Sequence, residues 1–126
     1  MHQYNFEKLE IYQNAKLLVL EIYKATNHFP SSEIYGLTNQ LRRASVSVGS
    51  NIAEGSGRTN IKEYGHFLQI AYGSCMEMLF QLSVAKELGY LFQEEELKIR
   101  NIIQSLTPKI AALRKSILSK KLNANL

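Results

Sequence analysis

The apolar positions of this chain repeat with the period of a helix. Tyr12, Ala15, Val19, Ile22 and Thr26 recur at alternating steps of three and four. That spacing predicts a first helix over residues 6–28, closed by Asn27 and Pro30. Ile34, Leu37, Leu41, Ala44, Val48 and Ile52 mark a second helix over 32–55, with Ser31 or Ser32 as its cap. "GSGRTN" then breaks the pattern. Asn60 followed by Glu63 is a capping-box-like start for a third helix, 61–88, and Gly89 ends it in a left-handed conformation. Its core line is Tyr64, Leu68, Ala71, Cys75, Met78, Leu82 and Ala85. The fourth helix, 93–121, opens with "QEEE" and carries Ile99, Ile103, Leu106, Ile110, Leu113 and Ile117. It should bend at Pro108, which has no donor for the Gln104 carbonyl. Residues 122–126 are expected to fray.

No segment alternates with period two over a strand's length. Four such helices with short connections each reverse direction, which predicts an all-α fold: an antiparallel up-down-up-down four-helix bundle in one domain, 1–126. The heptad-like spacing implies packing at small crossing angles. The third helix carries more apolar surface than this needs. Ile70, Gly73, Met76, Phe80 and Val84 fall on the half of the wheel opposite its core line. A second stripe either packs on a neighbouring subunit or leaves an apolar patch in water. A homo-oligomer is therefore expected.

Charge changes the picture next. The net charge is +4, and there is no Asp in the chain. All eleven carboxylate side chains lie at or before Glu96, whereas Lys98, Arg100, Lys109, Arg114, Lys115, Lys120 and Lys121 follow with no acid among them. Helix capping accounts for part of this asymmetry. The excess points to an anionic partner, RNA or DNA, held through phosphates with little sequence readout. The alternative is a solvated helix face that only keeps the chain soluble. No helix-turn-helix, RNA-recognition or zinc-finger pattern is present, and aromatics do not interleave with these cations. Apolar runs such as Leu17–Leu20 are far too short to span a membrane, and the N-terminus lacks a signal-peptide pattern. A cytoplasmic protein is expected. A single cysteine, Cys75, and three scattered histidines show no ligand spacing, so neither metal, cofactor nor small-molecule substrate is expected.

The stretch "RRASVSVGSNIAEGSGR" remains. On a helix, Arg43, Ser47, Asn51, Glu54 and Arg58 share one arc of about 80°, bordering the apolar line, with Arg42 on the opposite flank. A catalytic reading would enlist Ser47, Asn51 and Glu54 with an arginine, but no histidine lies on this helix to activate the serine. A structural reading has Ser47 and Gly49 permitting close helix approach, Asn51 satisfying a backbone group, and Glu54 pairing with Arg58. The spacing of a phosphate-binding loop is absent. A non-enzymatic protein is expected.

"EIYGLTNQLRRASVSVGSNIAEGSGR", followed by "EYGHFLQIAYGSCMEM", resembles the signature of the 23S rRNA intervening-sequence proteins, a family of small bacterial four-helix bundles. "FEKLEIYQNA" and "LSVAKELGYL" extend the likeness over nearly the whole chain. The resemblance implies a ring of five subunits without enzymatic activity. It also implies kinship with the accessory variability protein of diversity-generating retroelements, a basic pentamer that works with a reverse transcriptase and nucleic acid. By the same likeness the signature positions are Arg42, Arg43, Ser47, Asn51, Glu54, Gly55 and Arg58, with Gly73 and Ser74. Gly49 stands where the family commonly has proline.

Overall fold

The computed structural model describes residues 2–124, with side-chain surroundings for residues 2–120. Four helices carry the chain: α1 Glu10–Thr26, α2 Leu37–Ser56, α3 Ile61–Glu87 and α4 Gln93–Ala124. No strand occurs among the described residues. Each helix packs on two others in the cyclic order α1, α2, α3, α4, so α1 and α3 sit diagonally, as do α2 and α4. This is a four-helix bundle.

Two helix starts differ from the sequence expectation. The segment predicted as the beginning of the first helix is a separate 3₁₀ turn, Asn5–Lys8, and the chain is extended at Leu9 before α1 begins. The cause is local: the Glu7 carboxylate accepts from the Tyr4 backbone N–H at 2.9 Å and closes the short turn on itself. Likewise Ser31–Glu33 is a 3₁₀ turn, and neither Ser31 nor Ser32 caps α2. The N-cap of α2 is Gly36, and the Glu33 carboxylate accepts from the Leu37 N–H at 3.1 Å instead. Ile34 thus lies outside α2 and is exposed.

The other ends follow the sequence closely. The Asn60 side chain accepts from the N–H groups of Lys62 and Glu63, satisfying two donors that the first turn of α3 leaves free. At the far end Gly89 adopts φ +79°. Its N–H donates to Lys86 and the Tyr90 N–H to Ala85, which together make a Schellman cap. Three glutamates occupy the first turn of α4, where they complement the helix dipole. Pro108 lies inside α4 without ending it. Both Pro108 and Gln104 face solvent, so water can take the carbonyl that the proline leaves unpaired. The α4 helix runs on to Ala124; Asn125 and Leu126, the end of the segment expected to fray, lie outside the described residues.

The buried side chains form one cluster. Leu18, Ile22, Leu41, Ile52, Leu68, Met78, Leu82, Ile99, Ile103, Leu106 and Ile110 are its largest fully buried members besides Val48. Each contributes on the order of 1.5–3 kcal/mol by leaving water. The line predicted for α3 is inside, with Tyr64 half-buried. On α1 the buried face is turned slightly from expectation: Ile11, Leu18 and Ala25 are buried with Ala15, Ile22 and Thr26, while Tyr12 and Val19 are only half-buried.

Candidate functional site

The polar stripe of α2 divides between its two neighbours. Arg42 turns towards α1, where its Nε donates to Thr26 Oγ1 at 2.9 Å and its guanidinium lies 4.6 Å from the Tyr23 ring centroid. Ser47 turns towards α3 and shares a 2.9 Å hydrogen bond with Ser74 Oγ. Asn51 Nδ2 donates to the Ser47 carbonyl at 2.7 Å and to Ser47 Oγ at 3.0 Å, which completes a three-residue polar seam between α2 and α3. Arg43 is exposed and has no ion pair among the described residues. It borders shallow grooves on both of its sides.

Small residues let the two helices approach below this seam. A Cβ at Gly55 would lie 2.8 Å from Phe67 Cβ and 3.1 Å from Tyr64 Cδ1. Arg58 lies beyond the end of α2, and its guanidinium sits 4.8 Å from the Phe67 ring centroid. It approaches Glu54 at 3.5 Å in an exposed pair. Such pairs contribute at most about 1 kcal/mol.

As chemistry, the stripe is a connector. The partners of Ser47 are a hydroxyl and an amide, neither of which is a general base, and Glu54 faces Arg58 rather than the serine. Burial pushes the Cys75 thiol up to about 12, which keeps it protonated and inert at neutral pH. No group of three His, Cys, Asp or Glu side chains that could hold a metal occurs among the described residues. No helix of the described residues is long and apolar enough to cross a membrane.

The basic segment is partly paired within the chain. Lys98 pairs with Glu21 at 3.3 Å, Arg100 with Glu96 at 3.5 Å, and Lys109 with Glu10 at 2.6 Å. Arg114 donates to the Gly65 carbonyl at 3.1 Å and is half-buried. Within this segment only Lys115 and Lys120 are exposed without an ion pair among the described residues, and the side chain of Lys121 lies outside them. Lys98 and Arg100 already follow Glu94–Glu96 closely along the chain, whereas Lys109 lies far from any acid. Folding lays α1 beside α4 and sets Glu21 against Lys98 and Glu10 against Lys109.

The second stripe of α3 is present on the surface. Phe80 is 71% exposed, and Ile70 and Met76 are each 39% exposed. Gly73 has open space above it, and Val84 is half-buried. An apolar surface that the sequence reading missed lies between α1 and α2. It is a groove of about 460 Å³, floored by Ala15, Gly49 and Ala53 and flanked by Leu20, Val46 and Tyr12. Leu20 is 64% exposed. The signal was available: a helix cannot bury every residue of the Leu17–Leu20 run on one face, so part of it must point outwards.

The fold and sequence comparisons agree with each other. A crystal structure of a protein of unknown function from the S23 ribosomal protein family of Bacteroides thetaiotaomicron VPI-5482 superimposes with a TM-score of 0.77 at 17% identity, covering 83% of this chain and 98% of that one. No curated protein matches the chain. The family model described as 23S rRNA-intervening sequence protein matches residues 7–112, and the chain belongs to that family.

Proposed function

We propose that this protein is a non-enzymatic homo-oligomer of antiparallel, up-down-up-down bundles that holds a nucleic-acid or ribonucleoprotein partner by charge in the cytoplasm. The observation that carries the reading is the exposed stripe of Ile70, Met76 and Phe80 on α3, a face that a monomer has no reason to make apolar. The antiparallel arrangement is supported by contacts between successive helices: Thr26 meets Arg42 and Ala15 approaches Gly49, so numbering falls on one helix as it rises on the other. A ring, five-membered by family likeness, would repeat the +4 charge of each chain around one axis. Lys115 and Lys120 are exposed and unpaired among the described residues, and they are the cations of the basic segment best suited to contact phosphates. The family name, which refers to a 23S rRNA intervening sequence, accords with a polyanionic partner.

The test is binding of mixed-sequence RNA and duplex DNA across a salt series. Each phosphate contact should contribute about −0.9 to the log–log slope for duplex and about −0.7 for single strands. Changing Lys115 and Lys120 to Gln should flatten the slope and weaken binding equally across sequences. Arg114 is left intact because it holds the Gly65 carbonyl. Absence of salt-dependent binding by the wild type would sink the nucleic-acid half of the proposal. It would leave a protein-interaction scaffold, the reading favoured by the internal pairing of Lys98 and Lys109.

A further inference from the structure

Two apolar surfaces of opposite shape lie on different sides of the bundle. One is convex: the α3 stripe, from which Phe80 projects two turns beyond the bare backbone of Gly73. The other is concave: the α1–α2 groove, whose floor of Ala15, Gly49 and Ala53 leaves room for a large ring. At about 1.5 Å per residue the groove followed along α1 from Tyr12 to Leu20 runs about 12 Å, and the part of the stripe from Met76 to Val84 runs the same length.

We propose that the α3 stripe of one copy seats in the α1–α2 groove of a second copy, Phe80 entering between Leu20 and Val46. This rests on the self-association reading above and names the surfaces that carry it. Charge selects this pairing over the alternatives. The groove and its continuation past Val46 are lined by Lys16, Arg42 and Arg43 and by no carboxylate. The stripe carries Glu77 and Glu87, both exposed. The only cation on α3 between Ile70 and Glu87 is Lys86, which is held by Glu96 at 2.9 Å. A stripe packed on its own copy would set those glutamates against each other. A groove packed on its own copy would oppose two hollows and two sets of cations. Stripe on groove brings knob to hole and acid to base.

A contact between two different surfaces is head-to-tail. It leaves one free surface at each end of any pair, so growth continues until rotation closes a ring or a filament forms. That property supplies the test. Phe80→Glu removes the knob and Leu20→Glu blocks the groove. Both side chains are exposed, so each variant should keep the wild-type helix content by circular dichroism. Sedimentation velocity should show each variant alone as a monomer at concentrations where the wild type assembles. An equimolar mixture should give a species of two chains and nothing larger, because the one intact groove and the one intact stripe of each pair engage each other and leave none free. A mixture that stays monomeric would overturn the pairing, as would either variant assembling like the wild type, which would assign the groove to another occupant. A monomeric wild type would overturn the pairing together with the self-association reading beneath it.

Discussion

Gly55 offers the sharpest test of how α2 and α3 are held together. In an exposed helix interior, Gly→Ala stabilises by about 1 kcal/mol, because the backbone has less freedom to lose. At Gly55 the new Cβ would fall 2.8 Å from Phe67 Cβ, 3.1 Å from Tyr64 Cδ1 and 3.4 Å from the Tyr64 carbonyl oxygen. Phe67 Cβ is fixed to the α3 backbone and cannot rotate away. Relief therefore requires the helices to separate by most of an ångström along their most extensive contact. Overpacking of this kind costs about 1–3 kcal/mol, and a rigid neighbour places it near the top of that range. After the propensity gain, Gly55→Ala should destabilise by about 1–2 kcal/mol. Gly73→Ala meets nothing within 4 Å and should stabilise the monomer by up to about 1 kcal/mol. Gly49→Ala, whose Cβ would rest 3.5 Å from Ala15 Cβ, should behave like Gly73→Ala. Urea unfolding at several protein concentrations separates these effects from assembly, and the m-values should match. A Gly55→Ala variant as stable as Gly73→Ala would refute the close-packing argument.

Other outcomes follow from the same packing. Gln81 is buried, and its Oε1 finds no donor among the described residues while Nε2 donates to Glu77, so Gln81→Leu should raise stability by about 0.5–2 kcal/mol in urea titrations. Ser47→Ala should cost about 1 kcal/mol, and a cycle with Ser74→Ala should show coupling that an isolated surface serine would lack. Glu54→Gln should change the unfolding midpoint little, by no more than about 1 kcal/mol, since the pair with Arg58 is long and exposed. The Cys75 pKa is raised from 9.0 to about 12, so the folded state keeps a proton that the unfolded chain gives up. Its contribution to stability is complete below pH 9.0 and is lost as pH rises towards about 12. The alkaline decline should be shallower in Cys75→Ala than in wild type, and equal slopes would rule the thiol out as its source.

The sequence was most legible where a single local signal decided the structure. Asn60, the heptad from Leu68 to Ala85 and Gly89 each specify their part of α3, and the helix begins and ends where they indicate. The starts of α1 and α2 were hidden because glutamate side chains, Glu7 and Glu33, close short turns inside what reads as continuous helical pattern. Half of the signature stretch was also legible. Glu54 and Arg58 meet, and Asn51 satisfies a carbonyl one turn back. The partner of Ser47 was not, because Ser74 lies on another helix 27 residues away. The pairs of Lys98 with Glu21 and Lys109 with Glu10 were hidden for the same reason: pairing between α1 and α4 has no signature along the chain.

That last pairing also bears on the order in which the molecule is built. The α2–α3 seam joins Ser47 to Ser74 across 27 residues, and a four-residue connection already holds the two helices close. The α1–α4 seam is drawn shut by contacts such as Lys109 to Glu10, 99 residues apart. Bringing those ends together costs about 1 kcal/mol more in loop entropy than closing the α2–α3 hairpin, and the bonds that reward it are partly solvent-exposed ion pairs. The hairpin is therefore the natural nucleus, and α1 against α4 is the seam that closes last and opens first. Salt should weaken those two ion pairs, so hydrogen exchange in high salt should open the α1–α4 seam before the α2–α3 seam.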